Sequence, residues 1–287
     1  MMRNMRCATA VAVAALDAAA IGVFAFIGAD GRPRACPVTP YVHVGEAVVS
    51  STLAFTAKVA AVRADPRVAL LAGGCLIRAR ATVDIDVTST TFDERVRAQE
   101  LRKYPPARRL LAIPGHRRLL WWYVGRASIR IPLADCATVE GADRVTLTVI
   151  GDGLPGILTL DPSADPLADE FPVPAGVEGP ACVLFHQEDD QMADLRQLAL
   201  HGTVSDGIFR VERRVGSLAP ASPSALGQFK TLRSLARQAR TKRAVFERWT
   251  RSSSDLSDEP SARRASTVYQ TGRGEADHVS PAEERVV

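Results

Sequence analysis

Residues 75–87 constrain the fold of this chain most strongly, because apolar and polar residues alternate along them. The apolar positions are Cys75, Ile77, Ala79, Ala81, Val83, Ile85 and Val87, and Leu76 is the one apolar residue between them. Successive side chains of a β-strand point to opposite faces of the sheet, so the pattern predicts one long strand with a buried and a solvated face.

Other segments predict further strands and helices before residue 132. Gly28 to Gly31 form a tight turn between a strand at 21–27 and a returning strand at 32–44. Proline residues limit the ladder of the returning strand, which indicates an edge strand or an irregular barrel rim. The remaining strands are predicted at 47–52, 67–71 and 119–131, and the helices at 8–19, 56–65 and 92–103.

A strand–turn–strand pattern begins again after Cys136 and indicates a second, abbreviated β unit over residues 143–217. Its predicted elements are strands at 145–150 and 181–186, a helix at 188–197 and a hairpin at 198–215. Residues 228–251 predict a basic amphipathic helix, and the polar residues 252–287 are predicted to be disordered because they contain few core-forming side chains.

Composition indicates a globular, soluble, cytoplasmic protein. Hydrophobic residues make up 46% of the chain and charged residues 24%, and the net charge of +4 is too small to predict specific nucleic-acid binding. The five scattered cysteines are typical of reduced buried thiols. Residues 1–20 have the charged and apolar regions of an export signal, but Asp17 interrupts them and the apolar run continues into a predicted strand. No stretch predicts a membrane span.

Two apparent motifs are better explained as local structure. Residues 151–156 match Gly-x-Gly-x-x-Gly, but Pro155 and a β-rich run follow them, so the pattern predicts a hairpin turn and no nucleotide site. His186 precedes three acidic residues, which are typical of a first helical turn. No metal-binding or nucleophile motif is present in the sequence.

Lys58 stands in the first turn of the predicted helix at 56–65, where the helix macrodipole disfavours a cation. Thr56 is the predicted N-cap, and Ser51 and Thr52 precede it. Free backbone N–H groups, hydroxyls and one ammonium together make a phosphate-sized anion site. A solvated lysine on a surface helix is the alternative explanation.

Residues 20–131 resemble the split β-barrel flavoproteins, which include pyridoxamine 5′-phosphate oxidase and the FMN- or F420-dependent reductases. The resembling stretches are residues 28–38, 48–52, 56–58 and 63–70, followed by the strand that carries Arg78. The resemblance implies a β-dominated (α+β) fold: an FMN-binding type of split β-barrel with flanking helices, followed by a smaller degenerate β unit. It divides the chain into a cofactor-binding barrel (1–135), the second unit (136–221), the basic helix (222–251) and the tail (252–287).

The resemblance also implies a cofactor site. The phosphate of FMN, or alternatively of F420, would lie on Ser51, Thr52, Thr56 and Lys58, and the ring would lie along Pro37, Val38 and Thr39. Arg78 or Arg80 would supply a further cation. Trp121 to Tyr123 would either form an aromatic wall of the site or pack in the core. No metal site is implied.

The implied function is that of an FMN- or F420-dependent oxidoreductase, a homodimer that acts on a small organic substrate. True pyridoxamine phosphate oxidation is not expected, because Ala57 stands where arginine is typical, and Leu76 and Arg80 stand where glutamine and glycine are frequent. The alternatives are a non-catalytic flavin- or haem-binding barrel, and an interaction protein that uses the helix at 228–251.

Overall fold

Three antiparallel sheets and several short helices make up the described part of the chain. The computed structural model describes residues 8–86, 90, 92–116, 120–139, 144–151, 153–189, 195–220, 234–241 and 244–249. The helices are α1 (Thr9–Ala18), α2 (Ala57–Ala64), α3 (Arg97–Lys103), α4 (Pro105–Leu111) and α5 (Trp121–Val124), with a π-helical turn at Phe92–Val96. Residues 234–241 and 244–249 are also helical.

Fifteen strands form the three sheets. The first sheet has the order β2-β1-β5-β6-β9, and its strands are β1 (Gly22–Ile27), β2 (Pro33–Val38), β5 (Arg67–Ala72), β6 (Cys75–Arg80) and β9 (Cys136–Thr138). The second has the order β3-β4-β8-β7, with β3 (Pro40–His43), β4 (Glu46–Thr52), β7 (Thr82–Asp86) and β8 (Arg126–Pro132). The third has the order β11-β10-β13-β14-β15-β12, with β10 (Val145–Gly151), β11 (Leu154–Thr159), β12 (Glu170–Pro172), β13 (Gly179–Gln187), β14 (Arg196–Ser205) and β15 (Ile208–Ser217).

The first two sheets enclose one core and form a split barrel. The chain passes from the first sheet to the second at Thr39 and again at Ala81. Phe24 and Ile77 of the first sheet share a buried cluster with Ile129 of the second. Helix α2 adds Val59 and Val62 to the same cluster, and the spacing of these two residues puts them on one helical face. The predicted split-barrel fold is confirmed.

The third sheet packs on the outer face of the first, which is why β1 is apolar on both sides. Val23 and Ala25 of β1 share a cluster with Cys182 and Leu184 of β13. The other face of the third sheet has its own core, in which Phe171, Phe185 and Phe209 pack together. This sheet is the expected extra β unit, and the domain boundary at residue 136 stays a prediction. Strand β9, just beyond that boundary, pairs with β6 of the first sheet.

Several strand predictions are confirmed, and four element predictions differ from the structure. The returning strand predicted at 32–44 is divided at Thr39 into β2 and β3, which lie in different sheets. The alternating segment 75–87 is divided at Ala81 into β6 and β7, which lie in different sheets. Residues 121–124 are helical, because Trp122 and Tyr123 pack into a buried cluster with residues of the neighbouring helices. Residues 196 and 197, predicted as the end of a helix, begin β14 because they pair with the end of β13.

The C-terminal helical residues lie against the barrel with their apolar side. Phe246 and Ala239 are buried in the cluster that contains Trp122. The Arg63 guanidinium of α2 lies 5.0 Å from the ring centre of Trp249. Of the predicted helix at 228–251, only residues 234–241 and 244–249 are among the described residues. The predicted tail at 252–287 lies outside them. Among the helices of the described ranges, none is both long and apolar enough to cross a membrane.

Candidate functional site

Helix α2 begins directly after β4, and a tight turn joins the two. The backbone N–H of Phe55 donates to the carbonyl oxygen of Thr52 at 3.0 Å. The Ser51 hydroxyl donates to the carbonyl oxygen of Phe55, so this side chain holds the turn. Thr56 is the N-cap residue, as predicted from the sequence, but its side chain makes no capping hydrogen bond. The turn therefore fixes where the helix starts and leaves its first N–H groups without a side-chain acceptor.

Lys58 lies half-buried in the first turn of α2. Burial raises the pKa of the Cys36 thiol on β2, and the positive charge of Lys58 acts in the opposite direction and lowers that pKa. No acidic residue occupies the first turn of α2. Lys58 therefore stands at a helix N-terminus, and its charge acts on a residue of the strand that leads into residues 37–39.

The groups around the start of α2 fit a phosphate. The first N–H groups of an α-helix have no acceptor within the helix, and the macrodipole adds positive potential there. Lys58 contributes a full charge, and the buried Thr56 contributes a hydroxyl that caps nothing. A phosphate accepts hydrogen bonds from all three kinds of donor.

The structure does not bring every predicted phosphate ligand to the start of α2. Ser51 and Thr52 are neighbours in a strand, so their side chains point to opposite faces. Thr52 lies opposite Arg126 in the β4–β8 ladder, and its buried hydroxyl has no hydrogen-bond partner in the described residues. Arg78 lies in the same cross-strand row as Ala69, on the face that packs toward the third sheet. Its guanidinium pairs with Asp135 at 3.2 Å, so the geometry lends no support to Arg78 as a phosphate contact.

The predicted ring slot is formed by residues 37–39, at the end of β2 and the start of β3. Val38 is buried and directs its side chain into the barrel core, whereas Pro37 and Thr39 are half-buried. A flat ring near this segment would therefore meet the backbone and the side chains of Pro37 and Thr39. Their role as ring contacts stays a prediction.

The aromatic residues at 121–123 belong to a core. Trp122 and Tyr123 are buried in the cluster that also contains Phe92 and Leu111. The ring centres of Trp122 and Tyr123 lie 6.0 Å apart in an edge-to-face arrangement, which is favourable for packed aromatic side chains. Core packing thus explains these two side chains.

A buried polar cluster under the helices was not predicted from the sequence. Glu100 of α3 accepts hydrogen bonds from Tyr41 at 2.9 Å, from Tyr123 at 2.6 Å and from Arg126 at 2.7 Å. The Arg126 guanidinium lies between the rings of Phe92 and Tyr123, 4.4 and 4.5 Å from their centres. Burial raises the pKa of Tyr41 and of Tyr123, and the Glu100 charge raises both further. Both phenols therefore stay protonated and act as donors.

Lys103, one turn after Glu100, is a second buried charge beside this cluster. Its ammonium donates to the backbone carbonyl oxygens of Leu16 and Pro40, each at 2.6 Å. Burial lowers the pKa of Lys103 to about 8. The lysine ties α1 and β3 to α3. No sequence signal indicated this cluster, because its members are far apart in the chain and Glu100 and Lys103 look like surface residues of a helix.

Histidine and acidic residues do not converge into a metal-binding group within the described ranges. His186 is buried, and its Nδ1 lies 3.3 Å from a carboxylate oxygen of Glu188. Glu188 and Asp189 are not helical, so the prediction of a first helical turn is wrong at these two residues.

Comparison with known proteins finds similar solved structures. No protein-family model matches the sequence, and no curated protein matches it. A conserved hypothetical protein of Mycobacterium tuberculosis shares 19% identity over 48% of this chain and 89% of its own, with a TM-score of 0.37. General stress protein 26 of Bacillus anthracis shares 13% identity over 53% of this chain and 98% of its own, with a TM-score of 0.33. A Listeria innocua protein described as a pyridoxamine 5′-phosphate oxidase shares 19% identity over 46% of this chain and 98% of its own, with a TM-score of 0.32.

The chain is similar to these three solved structures, one of which is described as a pyridoxamine 5′-phosphate oxidase. The likeness covers about half of it, with identities of at most 19% and TM-scores of at most 0.37 in these three cases. Similarity at this level carries no argument about activity. The split barrel's function is therefore inferred from its own residues.

Proposed function

We propose that this split-barrel protein is a cytoplasmic homodimer that binds FMN, or alternatively F420, and acts as an oxidoreductase on a small organic substrate. One observation carries the proposal. The Lys58 ammonium lies at the start of α2, near Cys36 of β2, and no acidic residue of the first turn neutralises it.

A cation at a helix N-terminus is unfavourable unless an anion shares the position. A cofactor phosphate supplies that anion and accepts hydrogen bonds from Lys58, Thr56 and the first N–H groups of α2. The neighbouring segment 37–39 would then carry the ring. When bound, the flavin or deazaflavin supplies the hydride chemistry, and the protein supplies binding, orientation and exclusion of water.

Ala57 distinguishes the proposed site from that of a pyridoxamine phosphate oxidase. Its side chain is exposed directly beside Lys58, where an arginine would add a second cation. Arg78 and Arg80 are two residues apart on β6 and share the face toward the third sheet. Lys58 is therefore the one predicted cationic ligand near the start of α2 among the described residues. We therefore propose a weaker, single-cation phosphate site and a reaction other than oxidation of pyridoxamine phosphate.

The proposal is tested by purifying the full chain, recording its visible spectrum and identifying by mass any ligand released on denaturation. The protein is then titrated with FMN and with F420. Saturable binding of one of them, followed by its reduction with NAD(P)H or by turnover in a panel of small substrates, supports the oxidoreductase. If a cofactor binds but is neither reduced nor turned over, the protein is a flavin-binding module, and the proposed oxidoreductase activity is contradicted. Absence of saturable binding of both cofactors overturns the whole proposal.

A further inference from the structure

A cleft of about 320 Å³ lies between the β1–β2 turn and the β14–β15 hairpin. It is separate from the start of α2, and no function has so far been assigned to it. The residues that line it are Asp30, Arg32, Arg34, His201, Glu212 and Arg213. Six ionisable side chains thus meet where strand β2, the edge of the first sheet, approaches the third sheet.

A β-bulge in the β14–β15 hairpin builds one wall of the cleft. His201 pairs with Arg213, whereas the next residue, Gly202, pairs with Val211, so Glu212 is the extra residue of the bulge. A Cβ atom at Gly202 would lie 1.9 Å from the carbonyl oxygen of Arg210, so the close approach of the two strands requires glycine. Bulges bend a strand and redirect its side chains. Here the bulge directs Glu212 toward the β1–β2 turn.

Two carboxylates of the cleft are already paired. Glu212 accepts from both terminal nitrogens of Arg32, at 2.6 and 3.1 Å, and from the Thr203 hydroxyl at 2.7 Å. Asp30 accepts from Arg34 at 2.6 Å. Arg213 has no carboxylate partner among the described residues. Three guanidinium groups therefore face two carboxylates, which leaves the cleft with an excess positive charge.

His201 lies at the centre of this excess charge. The residue is 8% exposed, and its Nε2 lies 3.2 Å from a terminal nitrogen of Arg34. Burial lowers the pKa of His201 to about 4, with further lowering by the charges of Arg34 and Arg213. The ring is therefore neutral at pH 7, and its nitrogen accepts a hydrogen bond from Arg34.

If these residues served only to hold the first and third sheets together, the Arg32–Glu212 ion pair would be sufficient. Neither an open cleft nor Arg213 would be required for that role. Arg213 lines the same cleft as Arg34, and no carboxylate of the described residues pairs with it. Arg213 is exposed, so its guanidinium is open to an anion from solvent, and an anion bound between Arg213 and the half-buried Arg34 would reduce the repulsion between their charges. Guanidinium groups bind carboxylate and phosphate oxygens through paired hydrogen bonds. The cleft also has the volume of a small-molecule site.

We propose that this cleft binds a small organic oxyanion, whose phosphate or carboxylate group is held by Arg34 and Arg213. The volume leaves room for an organic portion beyond the anionic group. This inference is independent of cofactor binding at Lys58, which lies on α2.

Calorimetric titration of the full chain with phenyl phosphate, benzoate and inorganic phosphate tests the proposal. We expect saturable binding of phenyl phosphate or benzoate, and weaker binding of inorganic phosphate, which lacks the organic portion. Arg213→Ala should weaken binding about tenfold or more, the effect of losing one charge-assisted hydrogen bond. Arg214→Ala is the matched control, because Arg214 is the next residue in β15 but pairs with Asp169 outside the cleft.

Three results would overturn the proposal. One is the absence of saturable binding of all three anions, and another is an equal loss of affinity in the Arg213 and Arg214 variants, which would indicate non-specific attraction. The third is unchanged affinity in Arg34→Lys, which keeps the charge but removes the forked donor. Melting temperatures confirm that the variants are folded. In a histidine-ring NMR spectrum of the wild-type protein, a bound anion must shift the His201 signal.

Discussion

Glu100 and Arg126 form an ion pair at 2.7 Å, with side chains that are 3% and 5% exposed. Two phenols complete the hydrogen bonds of the carboxylate. Removing one partner of such a pair leaves a buried charge without compensation. We therefore expect Glu100→Gln to lower the free energy of unfolding by roughly 3–5 kcal/mol, measured by urea denaturation.

The exposed Arg102–Asp17 pair provides the control for this prediction, because water solvates both of its groups. Arg102→Ala should cost less than about 1 kcal/mol. Equal effects of the Glu100 and Arg102 substitutions would show that the buried cluster is not a stabilising element.

Gly202 permits the β-bulge, so a methyl group at this position should disrupt it. The added Cβ would overlap the carbonyl oxygen of Arg210 on the adjacent strand. We expect Gly202→Ala to lower the free energy of unfolding by about 2 kcal/mol or more. Gly156→Ala is the control, since a Cβ there meets no atom within 4 Å. A destabilisation of the same size at both positions would contradict the packing argument.

His201 should make stability depend on pH in the mildly acidic range. Its pKa is lowered to about 4 in the folded protein from an ordinary value of 6.5, mainly by burial. Between these two values the unfolded chain binds a proton that the folded protein does not, so stability falls as the pH falls from 6.5 to 4. The contribution is at most roughly 3 kcal/mol.

Unfolding free energies measured from pH 7 to pH 4 test this dependence. His201→Asn removes the titrating ring, so the slope should become shallower in that variant than in the wild-type protein. Identical slopes in the two proteins would show that the ring is protonated as easily in the folded state as in the unfolded state.

Phe246 anchors the C-terminal helical residues on the barrel. Its side chain is 1% exposed, whereas that of the adjacent Val245 is 38% exposed. We expect Phe246→Ala to cost about 3 kcal/mol of stability through lost burial and the cavity left behind, and Val245→Ala to cost much less. Thermal denaturation of both variants measures the difference. Similar costs would mean that the helix does not pack as described.

The sequence was sufficient to predict the β1–β2 hairpin and the strand character of β6 and β7, because their signals are local. The turn at residues 28–31 and the alternation in residues 75–87 each depend on neighbouring residues. The change of sheet at Ala81 could not be read from the alternation, because β6 and β7 have the same period on either side of it. The position of Lys58 at a helix start was predicted for the same local reason, and the structure has it in the first turn of α2.

Long-range contacts account for what the sequence did not predict. Residues 121–124 have aromatic side chains typical of strands, but contacts with distant helices favour a helical turn. Tyr41 and Glu100 meet across 59 positions of the chain, and no local pattern reports such a contact. Arg34 and His201, which meet in the cleft between the β1–β2 turn and the β14–β15 hairpin, likewise belong to different sheets.

A comparison of FMN with riboflavin, which lacks the phosphate, tests whether Lys58 binds a cofactor phosphate. Both ligands are titrated into the wild-type protein, into Lys58→Ala and into Arg109→Ala, an exposed charge control on α4. We predict that Lys58→Ala weakens FMN binding by roughly 1–3 kcal/mol and leaves riboflavin binding unchanged, while Arg109→Ala changes neither. An FMN preference over riboflavin that is the same in wild type and Lys58→Ala would contradict the claim.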